Sequence, residues 1–345
     1  MVALFVAICI IESLNLFMRF LLFTCLVICI SCNKYKTIGS IERSDPALNA
    51  IIADKAKVEI IASGYDWSEG PLWVEGQKML LFSDVPANTV FKWTEENGVE
   101  VYLKPSGYTS TVARGGEIGS NGLTLNKENK LVLCQHGNRQ LALMDADLGN
   151  PKPVFRTIVN NYQSKKFNSP NDLVYRSNGD LFFTDPPYGL EKNMDDPLKE
   201  IPYQGVYCVK ASGEVKLLVD SITRPNGIAI TPDEKTLIIA NSDPEKPYWY
   251  AYDIAENDSL INPRIFFDAR NASKSESGSP DGFKFDKNGN MYTSGPGGIW
   301  IFDKNAKILG RIKIPAAVSN CALSTDEKTL YITADMYVLR VTMQK

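Results

Sequence analysis

The sequence has 345 residues, 44% of them hydrophobic and 22% charged, with a formal net charge of -3. That balance excludes a disordered chain and a multi-span membrane protein, and the lack of any basic stripe argues against nucleic acid as a partner. No break in composition separates two domains, so a single large all-β domain stays open despite the length.

The first 32 residues differ from the rest. Phe20 to Ile30 is almost wholly apolar, preceded by Met18-Arg19 and followed by Ser31-Cys32-Asn33. This is the order of an export signal ending in a lipid-attachment cysteine, and its apolar core is short for a bilayer span. Glu12, Asn15 and Arg19 interrupt the apolar residues further upstream, as an upstream start ahead of a signal beginning at Met18 would explain. Cys29 stands where a bacterial lipobox usually has Leu, so cleavage without lipidation is the alternative. The expected organisation is a leader over 1–32, a linker over 33–56 and one domain over 57–345. The expected location is outside the cytoplasm, periplasmic or at the cell surface, anchored at Cys32. Beyond the leader only Cys134, Cys208 and Cys321 remain, scattered among apolar neighbours without metal-ligand spacing, and they read as buried thiols.

A short polar motif then recurs ahead of an alternating apolar run: Glu69-Gly70, Asn121-Gly122, Asn171-Asp172, Asn226-Gly227, Asp281-Gly282 and Asn320-Cys321. The steps are 52, 50, 55, 55 and 39 residues, close to what four short strands and their turns need. Within a unit the grammar repeats. Leu173-Val174-Tyr175, a turn at Ser177-Asn178-Gly179-Asp180 and Leu181-Phe182-Phe183-Thr184 read as an antiparallel hairpin, and the fourth, fifth and sixth units match it. Third strands follow at Gly205–Val209, Gly298–Phe302 and Tyr337–Val341. Repeated four-stranded sheets that each need covering on both faces are satisfied by radial stacking, which predicts a six-bladed β-propeller with four antiparallel strands per blade. Only three strands' worth of residues follow Asn320, while Val58-Glu59-Ile60-Ile61 has strand character, so an N-terminal strand is expected to complete the last blade and close the ring.

In such a ring the residue just before each inner strand sits at one mouth of the central channel. Glu69, Asn171, Asn226 and Asp281 would bring two carboxylates and two amide carbonyls to one point. Two carboxylates at close range raise each other's pKa unless a cation lies between them. Every donor is a hard oxygen, so calcium or magnesium is favoured over zinc or copper. Asn-Gly and Asp-Gly are also ordinary turn residues; their weight here lies in the shared register, with Pro170, Pro225 and Pro280 ahead of three of them. Asn121 and Asn320 either line the mouth or serve as turn residues. The last residue of each second strand is expected at the same rim, which places His136, Asp185, Asn241 and Ser294 there. His136, the single histidine, could move a proton or hold a substrate hydroxyl. Arg139 could bind a sugar oxygen or bridge blades. Asp185-Pro186-Pro187-Tyr188-Gly189 begins a loop expected to lie over the mouth.

Ser68-Glu69-Gly70-Pro71-Leu72-Trp73, Ser169-Pro170-Asn171-Asp172-Leu173, Arg224-Pro225-Asn226-Gly227-Ile228 and Ser279-Pro280-Asp281-Gly282-Phe283 together resemble the senescence marker protein, gluconolactonase and luciferin-regenerating enzyme family, which includes regucalcin. The likeness runs from about Ser63 to Met343, and the stretches around His136 and Thr184 to Leu190 are similar to bacterial gluconolactonases in particular. The resemblance implies one divalent cation, expected to be Ca2+ with Mg2+, Mn2+ or Zn2+ as alternatives, held by Glu69, Asn171, Asn226 and Asp281. It also implies hydrolysis of a small sugar lactone; on that reading Asp281 is the expected general base and His136 a second catalytic candidate, and their places at the rim put Asn121, Asn171, His136, Arg139 and Asp185 toward substrate. A phosphotriesterase or aryl-esterase of the same fold, or a non-catalytic sugar-binding propeller, is the alternative. A serine nucleophile is not expected, because no Gly-x-Ser-x-Gly elbow occurs.

Overall fold

Six small antiparallel sheets carry the chain, and the residues that begin them are the recurring polar pairs. A computed structural model describes residues 34–344. The leader and Cys32 lie outside the described residues. The chain divides after Lys36, and the architecture is that of Thr37–Lys345. Blade 1 is ordered Ser68–Val74, Met79–Asp84, Thr89–Thr94, Gly98–Leu103, a simple meander from the axis outward. Blades 2, 3 and 4 begin at Ser120, Leu173 and Pro225 and repeat it. Each inner strand touches the inner strands of the blades before and after it, and blade 6 touches blade 1, so the ring is closed.

Blade 6 is closed as the sequence predicts. Val318–Leu323, Thr329–Ala334 and Tyr337–Thr342 come from the C-terminal end, and Val58–Ser63 supplies the outer strand, with Val58 opposite Val341. The stretch read as a linker over 33–56 is partly built onto the domain instead. Ser40–Arg43 adds a fifth strand to blade 5 beside Ile308–Lys313, and the short turn of helix at Pro46–Ala50 buries Leu48 completely. Ile51 and Ile52 follow it into the same apolar cluster.

The core is divided among the seams between blades. Apolar clusters fill the seams from blade 1/2 to blade 5/6. At the seam of blade 6 with blade 1, Trp73 stacks on Tyr331 at 5.3 Å and Arg340 lies over the Trp93 ring while bonding Glu59 and Glu95. Cys134, Cys208 and Cys321 are buried free thiols, as expected.

Candidate functional site

Each polar motif sits where the inner ladder is broken. In blades 1, 2, 4 and 6 the register shifts at the motif, between Glu69 and Leu72, Ser120 and Leu123, Pro225 and Ile228, and Val318 and Asn320. In blades 3 and 5 the ladder begins only after it, at Leu173 and Phe283. An interrupted ladder frees a residue from the alternation of a strand and re-aims its side chain, here toward the axis. The second member of the pair is small because the next blade presses on it. A Cβ on Gly70, whose φ is +53°, would stand 2.1 Å from the carbonyl oxygen of Asn121, and one on Gly227 would stand 2.2 Å from that of Asp281. Asp172 takes this position in blade 3 with a side chain instead.

The ends of the second strands fix these segments. Asp84 accepts from the backbone N–H of Asp66 and Trp67, Asn241 from that of Arg224, and Ser294 Oγ from that of Asp281 at 2.9 Å. Asp185 does the same in blade 3, taking the N–H groups of Asn168 and Ser169 at 2.8 Å each. These residues therefore hold the motifs in place from behind. Asp185 is fully buried, its carboxyl pushed up to about 7 by that burial, and the structure does not bring it to the cavity.

Glu69, Asn121, Asn171, Asn226 and Asp281 converge from five blades on one cavity of about 270 Å³, shared with Trp67, Glu117, Tyr188 and Ser242. Glu69 is 2% exposed and its Oε2 accepts from the Gly70 N–H at 2.9 Å. Burial raises the Glu69 carboxyl above its usual range, with the charges of Asp172 and Glu117 adding to it. Asp281 is raised well above its usual value by burial first and then by Glu69, Asp172 and Glu117. Asn226 Nδ2 lies 3.4 Å from Ser242 Oγ, while its buried Oδ1 has no hydrogen-bond partner among the described residues. Asp172 stands behind them, 3% exposed, with Oδ1 accepting from the Leu173 N–H and Lys284 Nζ 3.9 Å from Oδ2.

This donor set fits a hard divalent cation. Two carboxylates that disfavour each other's charge and an orphaned amide oxygen are each relieved by one positive ion, and calcium accepts both donor types. The set is mixed: no group of three or more His, Cys, Asp or Glu side chains placed to hold a metal occurs among the described residues. A larger cavity of about 590 Å³ lies at the far ends of the inner strands of blades 4 and 5. Its acids are engaged in turns, Asp233 with Thr231 and Lys235, and Asp303 with Asn305 and Lys307, so the converging oxygens mark the smaller one.

His136 and Arg139 do not line the cavity. Arg139 bridges segments, donating to the carbonyls of Phe167 at 2.6 Å and Leu198 at 2.9 Å. His136 is fully buried one layer behind, and burial pushes its pKa down to about 3, so it is neutral. Gly189 packs so closely on it that a Cβ there would lie 2.5 Å from His136 Cβ. The loop expected over the mouth contributes Tyr188, whose hydroxyl bonds Ser242 Oγ.

Glu117 and Asp172 are the acids that sequence reasoning missed. Asp172 was open to detection as the acid standing where four other motifs carry glycine. Glu117 lies on the connection from blade 1 to blade 2, outside the recurring polar pairs, and nothing in the spacing marks it.

The sequence profile described as SMP-30/Gluconolactonase/LRE-like region matches residues 67–335. A gluconolactonase of Zymomonas mobilis is 39% identical over 314 residues, covering 88% of this chain and 86% of that protein. Among solved structures, a gluconolactonase from Xanthomonas campestris superposes with a TM-score of 0.76 at 28% identity, covering 89% of this chain and 97% of that one. The calcium-binding protein regucalcin of Agrobacterium tumefaciens, at 15% identity and a TM-score of 0.63 over 83% of this chain and 94% of that one, shares the fold. Profile, identity and coverage agree that the chain belongs to the SMP-30/gluconolactonase/LRE-like family.

Proposed function

We propose that this chain hydrolyses a small sugar lactone at the channel mouth, with a divalent cation, calcium in the first instance, held by Glu69, Asn171, Asn226 and Asp281. The observation that carries the reading is the meeting of these four side chains at one cavity, in a chain 39% identical to a gluconolactonase. A cation bound there would supply positive charge beside the lactone carbonyl, where negative charge develops as water adds.

The chain's own residues supply the rest. The Asp281 carboxylate, lining the cavity as part of the cation set, takes the proton of the attacking water. Asn121 offers an amide to the substrate from blade 2, next to the cation set. Trp67 and Tyr188 line the wall, and the cavity suits one six-membered ring. Asp185 and Ser294 keep the Asn171 and Asp281 segments fixed while charge moves. His136 and Arg139 serve from behind, through the segments they touch. The N-terminal sequence supports export and lipid attachment at Cys32, which the mass of the mature N-terminal peptide would test.

Proton release from glucono-, galactono- and xylonolactone and from a phosphotriester, each with and without chelator, tests the function. Chelator-sensitive opening of at least one lactone is the expected result. Turnover confined to the phosphotriester would favour the phosphotriesterase reading, and no chelator-sensitive turnover of any substrate would favour a binding propeller.

A further inference from the structure

We propose that Glu117, backed by His136, reads the ring hydroxyls of the substrate, so that this pair sets the preference for polyhydroxylated lactones over plain aliphatic ones. The inference rests on the lactone-hydrolase reading and adds a specificity residue outside the cation set.

Glu117 lines the cavity beside Asn121 and Tyr188, with its side chain 37% exposed. Its Oε2 lies 3.6 Å from His136 Nδ1. That is longer than a hydrogen bond. Behind it both ring nitrogens of the fully buried His136 are without a hydrogen-bond partner among the described residues. A buried polar atom left unpaired costs about 1–3 kcal/mol, and the group that faces this ring is Glu117, through both its backbone and its carboxylate. A neutral imidazole has one N–H to give. A shift of the Glu117 carboxylate by roughly 0.6–0.9 Å brings it within bonding distance of Nδ1.

With one oxygen held by the imidazole, the other lone pairs of Glu117 face the cavity. A carboxylate is acceptor-only and takes O–H donors in short, charge-assisted bonds. Adjacent hydroxyls on a sugar lactone ring are such donors, and an unsubstituted lactone has none. The surroundings hold the pair in place. Arg114 donates to the Gly137 carbonyl at 3.2 Å and also to that of Gly189, tying the Glu117 loop to the loop over His136. Asn88 Oδ1 accepts from three consecutive N–H groups of the same loop, those of Ser106, Gly107 and Tyr108.

Steady-state kinetics on gluconolactone and δ-valerolactone, with calcium binding followed by calorimetry, test the assignment. In Glu117→Gln the ratio of kcat/KM for gluconolactone to that for δ-valerolactone is expected to fall about tenfold to a hundredfold, chiefly through KM for gluconolactone. Glu117→Asp should recover part of the ratio, and His136→Gln should lower it by a smaller factor. An unchanged ratio, or equal losses on both substrates, would overturn the assignment. So would a parallel loss of calcium affinity, which would make Glu117 a ligand of the ion. Wild-type protein that opens neither lactone removes the underlying reading, a result distinct from any of these.

Discussion

The seam between blades 4 and 5 and the mouth of the channel are built from opposite materials. In the seam, Trp249 is fully buried, its indole N–H donates to Thr293 Oγ1 at 2.8 Å, and its ring meets Phe267 and Phe302 at about 6 Å. At and behind the mouth, Asn226 Oδ1, Asp172 Oδ2 and both nitrogens of His136 are buried without hydrogen-bond partners among the described residues, and two carboxylates hold their protons beyond the usual range. The seam is satisfied by folding alone. The mouth is satisfied only when something else binds, which is how a site differs from a core.

Breaking the mouth chemically should leave the seams intact. Asp281→Asn keeps an oxygen donor for the ion but removes the base, so kcat on the preferred lactone is expected to fall by about 10²–10⁴-fold. The melting temperature of the cation-free variant should not fall, because a buried carboxyl that its own burial and Glu69 disfavour as an anion is gone. Proton-release kinetics and a thermal melt on one preparation read both. Turnover within a few-fold of wild type would remove Asp281 from the chemistry.

The converse experiment breaks a seam. Trp249→Ala leaves a cavity between blades 4 and 5 and removes the N–H that Thr293 Oγ1 accepts, for an expected loss of about 3–5 kcal/mol. Well below its melting temperature the variant should keep calcium affinity and KM close to wild type, since Trp249 does not line the site. A large change in KM at full folding would show that this seam and the mouth are coupled.

The two regions also differ in how legible they were in the sequence. The seams follow from alternation: Phe283, Met291, Trp300 and Phe302 announce their burial by hydrophobicity and spacing. The candidate cation residues were legible because a polar pair recurs in register with the strands. Ser40–Arg43 was not, because it joins blade 5 by backbone pairing, which leaves little imprint on side-chain type. Asp185 lies at the strand end, as expected, and its carboxylate turns to the backbone behind it. The segment Asn168–Ser169 crosses behind that strand end with two N–H groups to satisfy, and they take the carboxylate. Which side of a strand end a polar residue faces depends on a neighbour distant in sequence, as does the placing of Glu117 beside His136.

The smallest expected effect sharpens the comparison most, because it belongs to the mouth and is read as stability. In cation-free protein Glu69 and Asp281 have pKa values raised above those of the unfolded chain. The folded state then binds more protons than the unfolded state between the ordinary carboxylate range and the raised values. Stability should therefore be full in mild acid and decline as pH rises through that window, by up to about 1.4 kcal/mol per pH unit for each group. Saturating calcium favours the ionised carboxylates and should flatten or reverse the slope, because proton and cation compete for the same oxygens. Glu69→Gln should make the cation-free slope shallower, while seam variants such as Trp249→Ala shift the whole curve without changing its steepness. Melting curves in chelator from about pH 5 to about pH 8, repeated with calcium, separate the two kinds of change. A cation-free slope identical in wild type and Glu69→Gln would mean that Glu69 does not carry the charge conflict, and the case for a shared ion would lose its electrostatic basis.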